Sequence, residues 1–149
     1  MNHSKNMKIA LKQAKKAAKK GEVPVGAIII RDGKVIAKAH NLREKTKKAT
    51  AHAEILAIEE ANKKLKSWRL DSCTLYVTIE PCPMCAGAII QSRIKTVVYG
   101  AKDIKSGSHD SVVNLFDRPY NHKVNVVDGV LEDECGKIIT DFFKKLRKK

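Results

Sequence analysis

The order of local signals along this chain predicts an α/β protein in which helices cover a mixed sheet. Two observations carry that expectation. An early hairpin signal, Asp32-Gly33, sits between two runs rich in apolar and β-branched residues. After it, helical and strand patterns alternate to the end of the chain, as they do in βα-type layer structures. With 149 residues, the chain can bury a core without disulfides, and no repeat, low-complexity tract or linker divides it. Residues 1–149 are therefore expected to form one domain.

Residues 5 to about 20 read as an amphipathic helix. Met7, Ala10, Leu11, Ala14 and Ala18 recur at helical spacing, Lys8, Lys12, Lys15, Lys16 and Lys19 take the opposite face, and Gly21 is the stop. Val25–Arg31 is the first strand and Lys34–Ala39 returns antiparallel. A charged loop, Arg43–Lys48, follows. Thr50 is expected to cap a helix that turns Ile55, Leu56, Ile58, Ala61 and Leu65 inward. Thr74–Ile79 is the third strand. Pro83–Ser92 is a short helix whose prolines stand where a missing N–H matters least. Ile94–Tyr99 and Val124–Val127 are the fourth and fifth strands. From Leu131 to the end runs a last helix with Leu131, Cys135, Ile138, Phe142 and Leu146 on one stripe, an acidic start and a basic end.

Charge narrows the partner. Thirty Lys and Arg against 16 Asp and Glu leave a net +14, which draws polyanions and raises their rate of encounter. Nucleic acid is the expected class, and a membrane surface is disfavoured because the apolar stripe of the first helix is mostly alanine. Met1–Lys20 lacks the apolar segment of a secretory signal, and runs such as Ala27–Ile30 and Ala86–Ile90 are too short to cross a bilayer. The expected compartment is the cytoplasm. There, four cysteines argue for metal or redox chemistry before disulfides.

Two segments carry chemistry: Thr50-Ala-His-Ala-Glu54 and Glu80-Pro-Cys-Pro-Met-Cys85. Zinc takes nitrogen and thiolate ligands in a tetrahedron, and a catalytic site leaves the fourth position for water. Cys82 and Cys85 at a helix start, where the dipole favours thiolates, and His52 at the start of the preceding helix make three ligands with no fourth in view. Glu54 turns such a metal site toward deamination. Water on zinc has a pKa near about 7, so a neighbouring carboxylate can take its proton and return protons first to the ring nitrogen and then to the departing amine. Read singly, Cys-x-x-Cys could be a redox pair, His52 a cap and Glu54 a solvated helix charge. Together, in this order, they point to a zinc site. Cys73 and Cys135 have no such partners and read as small buried hydrophobes.

At these residues the chain resembles the cytidine deaminase-like superfamily, whose signature is His-x-Glu followed by Pro-Cys-x-x-Cys; the deaminase chemistry is a worked case of base flipping. The likeness extends through Glu22-Val-Pro-Val-Gly-Ala27, Leu75 to Ala88, Ser92-Arg-Ile94, Tyr99 to Asp103, Asn121-His122, Gly129-Val-Leu131 and Asp141-Phe-Phe143 to the bacterial tRNA adenosine deaminases. It covers about Lys8 to Arg147. The resemblance implies a three-layer αβα fold with a five-stranded mixed sheet, its fourth and fifth strands parallel across residues 101–123. It implies one zinc per chain, a homodimer, and conversion of the wobble adenosine of an arginine tRNA to inosine by attack of water at purine C6. It also implies that Asn41 contacts the flipped purine, Val25 and Ala53 line its pocket, Asp103 and Asn121 lie near the anticodon nucleotides, and Phe143 sits close by. Read without the family, Asn41 is a turn residue closing the second strand and Asp103 a loop-capping carboxylate.

The likeness breaks at Ser108-His109-Asp110-Ser111, where the family shows a small glycine-containing loop; Asp110 is expected to place a negative charge near the RNA. Free-base guanine deaminase is the alternative function, disfavoured because a small neutral base needs no cationic surface. A cytidine deaminase fits Met84-Cys-Ala-Gly-Ala88 less well. A non-catalytic zinc module would have no use for Glu54.

Overall fold

The computed structural model describes residues 1–148; Lys149, which the expected last helix included, lies outside them. Five helices, named here α1 (His3–Lys19), α2 (Arg43–Thr46), α3 (Ala53–Leu65), α4 (Pro83–Gln91) and α5 (Glu132–Arg147), surround five strands. These are β1 (Gly26–Arg31), β2 (Lys34–His40), β3 (Thr74–Ile79), β4 (Thr96–Ala101) and β5 (Asn125–Val127). The sheet order is β2-β1-β3-β4-β5. β1 runs antiparallel to both neighbours, whereas β3, β4 and β5 run parallel, as the mixed-sheet expectation requires.

The layers follow from the strand pattern. β1 is apolar at consecutive positions because both of its faces are covered. Ala27 and Ile29 pack with Ala57, Leu75, Val77 and Ile89 beneath α3 and α4. Ile28 and Ile30 pack on the other face with Met7, Leu11, Tyr76 and Cys135 beneath α1 and α5. Gly26 permits this close approach, since a Cβ there would fall on the backbone of α1 at Ala10 and Ala14. The β1–β2 turn has positive φ at both Asp32 and Gly33, the twist that suits a two-residue hairpin. Cys73 and Cys135 are buried and free.

Several local expectations change. The segment 43–48 is not all loop, because the buried Glu22 carboxylate accepts from the amides of Glu44 and Lys45 at 3.0 and 2.8 Å and winds α2. Thr50 is not the cap of α3. His52 occupies that position without a side-chain cap bond, and the Asn41 side chain supplies the acceptor instead. Ala53, Ala57, Ile58 and Ala61 form the buried stripe of α3, while Ile55, Leu56 and Leu65 are only half-buried. On α5 the expected stripe is buried at Cys135 alone and ends with Leu146 exposed. Leu131 precedes that helix with φ of 54°.

Candidate active site

Two helix N-termini converge outside the carboxyl end of β3, the crevice where α/β sheets place ligands. His52 is the N-cap of α3 and Cys82 the N-cap of α4, with Pro83 opening the helix. Cys85 follows in the first turn, so both thiols face back toward His52 from the positive end of a helix. His52 Nδ1 lies 3.6 Å from Cys82 Sγ and 3.5 Å from Cys85 Sγ. Ligands about 2.0–2.1 Å (nitrogen) and 2.3 Å (sulfur) from zinc, at tetrahedral angles, would stand roughly 3.5 Å apart. The three donor atoms therefore already have the spacing and chemistry of a zinc site. They form the one such cluster among the described residues.

The electrostatics agree with that donor set. A hydrogen bond with Cys85 pulls the Cys82 thiol down to about 4 against the cost of burial, with His52 and the helix amide of Cys85 adding to the effect. The same bond and burial push Cys85 up. The bond to Cys82 raises His52. Glu54, almost wholly buried, is raised to about 7 chiefly by burial, its backbone hydrogen bond opposing. A carboxyl poised there can take and release a proton near neutral pH.

The cavity has a volume of about 160 Å³ and is lined by Val25, Asn41, His52, Glu54, Cys82 and Asp103, with Val23, Arg43, Ile79, Glu80 and Ser106 at its edges. It thus unites most of the residues expected from sequence. Ala53 is fully buried and does not line the cavity; its amide donates to Asn41 Oδ1 at 2.7 Å. Phe143 stands outside, in an adjoining groove it shares with Asn41 and Arg43. Asn121 is exposed in the segment before β5 and does not line the cavity.

Glu80 was visible only as part of the cysteine motif, and its structural role escaped sequence reading. Its buried carboxylate accepts from the amides of Asp103, His109 and Asp110 at 3.0, 2.9 and 2.8 Å and from Ser111 Oγ at 2.5 Å. Those bonds pin the 103–111 loop over the site. Gly107 sits against the same carboxylate, where a Cβ would collide. None of residues 108–111 has positive φ, so the departure from a glycine-containing loop calls for no left-handed backbone, although the buried Ser108 hydroxyl has no hydrogen-bond partner. Asp110 is paired with Lys102 at 2.5 Å, so its charge is balanced locally. Arg43 and Ser106 were also missed, because only the folded loops carry them to the cavity.

The profile of the MafB19-like deaminases matches residues 1–147. The chain is 55% identical over 144 residues, 96% of its length and 89% of the relative's, to the tRNA-specific adenosine deaminase of Bacillus subtilis. Its fold superposes with a TM-score of 0.87, at 42% identity over 90% of this chain and 98% of the other, on a structure from studies of A-to-I editing by tRNA:A34 deaminases. A guanine deaminase of Bacillus subtilis superposes with a TM-score of 0.65, at 33% identity over 81% and 88% of the two chains. The fold and the site thus define a deaminase. The chain belongs to the MafB19-like deaminases and, within them, to the tRNA-specific adenosine deaminase family.

Proposed function

We propose that this chain deaminates the wobble adenosine of a tRNA, in the family's pattern an arginine tRNA, to inosine, with one zinc ion held by His52, Cys82 and Cys85. The observation that carries this reading is the buried Glu54 carboxylate beside that three-donor cluster in one nucleobase-sized cavity. Zinc, when bound, lowers the pKa of a water toward about 7 and so supplies the nucleophile. Glu54 takes one proton from the water attacking purine C6 and returns it to the ring nitrogen; it then takes the proton of the new C6 hydroxyl and delivers it to the amine, which leaves as ammonia as the C6–O bond becomes the carbonyl of inosine. Asn41, its Oδ1 engaged by Ala53, turns its amide nitrogen to the purine. Val25 forms an apolar wall, and the loop held by Glu80 brings Asp103 to the mouth.

No helix among the described residues is long and apolar enough to cross a membrane, which suits an enzyme working on tRNA in the cytoplasm. We further propose that residues 1–149 act as one domain and that two copies pair. Half-buried Ile55, Leu56 and Met84 on the adjoining α3 and α4 offer apolar surface for a second copy. Phe143 and Asn121 would meet nucleotides beyond the flipped base.

The test is incubation with an anticodon stem-loop bearing adenosine at the wobble position, scored for inosine, beside a parallel assay with free guanine. Inosine without xanthine is the expected result. Xanthine alone would return the function to guanine deamination.

A further inference from the structure

The solvent face of α1 differs from that of the other long helix bearing lysines on the opposite side of the sheet. On α3, Glu59 and Glu60 precede Lys63 and Lys64 by four residues, the pairing that stabilises a solvated helix face. α1 carries six lysines and no acidic residue. Lys8, Lys12, Lys15 and Lys19 form an exposed row, in which Lys8–Lys12 and Lys15–Lys19 are like-charge pairs at the destabilising i,i+4 spacing. None of the ion pairs among the described residues includes an α1 lysine.

This row ends at a groove. Between the C-terminal halves of α1 and α5 lies a concavity of about 520 Å³ floored by Ala18, Ile138 and Phe142 and edged by Lys19, Lys144 and Lys145. Its acidic residue, Asp141, is already paired with Lys137 at 2.6 Å. Phe142 also belongs to the next groove, which reaches Asn41 and Arg43, and those two residues edge the catalytic cavity. Three neighbouring concavities therefore share walls in sequence, from the cavity of Glu54 to the lysines. The row from Lys8 to Lys19 adds about 16 Å at 1.5 Å per residue.

We propose that the α1–α5 groove and the lysine row of α1 form the bed for the phosphate backbone of the RNA stem, beyond the nucleotides held at the catalytic cavity. This rests on the tRNA deaminase reading above. The catalytic cavity takes one base, so the rest of a structured RNA must lie on the surface; beyond the intervening groove, which Glu22, Arg43 and Glu44 help line, the lysines of the α1–α5 groove and of α1 are the basic surface on this side. A membrane partner fits less well, because the apolar side of α1 (Met7, Ala10, Leu11, Ala14 and Ala17) is buried in the core and is not free to enter lipid.

The test compares a Lys15→Gln/Lys19→Gln/Lys145→Gln variant with a control carrying Lys63→Gln/Lys64→Gln/Lys66→Gln on the opposite layer. Each is assayed on full-length tRNA with wobble adenosine and on a short single-stranded oligonucleotide around that base. The groove variant should raise KM on tRNA about tenfold or more and lower the salt slope of tRNA binding by about three, one per lost phosphate contact. Its kcat/KM on the oligonucleotide should match that of the unaltered protein, and the control should change neither. Equal losses in groove and control variants, equal losses on both RNAs, or no loss on tRNA would each overturn the proposal. So would loss of binding to anionic phospholipid vesicles with tRNA binding unchanged. If the unaltered protein forms no inosine from either RNA, the deaminase reading itself fails, and that shows before any variant is made.

Discussion

Asn41 Oδ1 accepts a 2.7 Å hydrogen bond from the amide of Ala53, so a residue from the end of the hairpin fixes the start of the helix that presents His52 and Glu54. A side-chain acceptor at a helix N-terminus is worth about 0.5–2 kcal/mol. Asn41→Ala should lose that much stability together with most turnover, while Asn41→Asp should keep the acceptor, and hence the stability, but lose the amide donor that the proposed function assigns to the purine. Thermal unfolding beside kcat/KM separates the two roles. Equal destabilisation by both substitutions would contradict this assignment.

Purified protein should carry about one zinc per chain. Cys82→Ser and Cys85→Ser should each lose it, whereas Cys73→Ser, altering a buried thiol outside the cluster, should retain it. Metal analysis of the three variants decides. Full occupancy in both Cys82→Ser and Cys85→Ser would mean that the metal is held elsewhere.

Glu54→Gln preserves volume but cannot accept a proton. It should bind zinc and tRNA normally and lose turnover by about 10⁴-fold or more, the upper end of general acid–base contributions, because one carboxylate serves each proton step. Single-turnover inosine formation, with zinc content and tRNA affinity measured on the same sample, is the check. Near-normal turnover with zinc bound would remove Glu54 from the chemistry.

Glu80→Gln should destabilise the protein by roughly 2–3 kcal/mol, since hydrogen bonds to a charged group contribute about 1.5–3 kcal/mol each and part of the set survives. Burial pushes this carboxyl upward, but its bonds from Ser111 and the 103–110 amides outweigh that and hold it below its ordinary value. A depressed carboxylate stabilises the fold above the usual carboxylate range, and that contribution fades as pH falls through its lowered value. The stability gap between the unaltered protein and Glu80→Gln should therefore be full at neutral pH and narrow in acid. Denaturant titrations of both proteins across that range test it; a gap independent of pH would be the contrary result. Gly107→Ala should reproduce the defect at neutral pH by pushing a methyl group against the same carboxylate.

Sequence alone determined the α/β class, the hairpin at Asp32-Gly33, and the identity of the His52, Glu54, Cys82 and Cys85 constellation, whereas the parallel pairing of β4 and β5 was implied only by the family resemblance. The former were legible because their signals are local: hydrophobic period, turn chemistry, and ligand types a few residues apart. Tertiary structure decided what caps α3, how much of α5 is buried, and what shapes the mouth of the site. Asn41 rather than Thr50 holds the helix start, and Glu80 reaches amides 23 to 30 residues along the chain to gather its loop. Glu22 similarly winds α2 from 22 and 23 residues away. Such bonds join a side chain to backbone amides, which every non-proline residue carries, so the partner leaves no mark in the sequence. Only the folded chain brings one particular amide within reach.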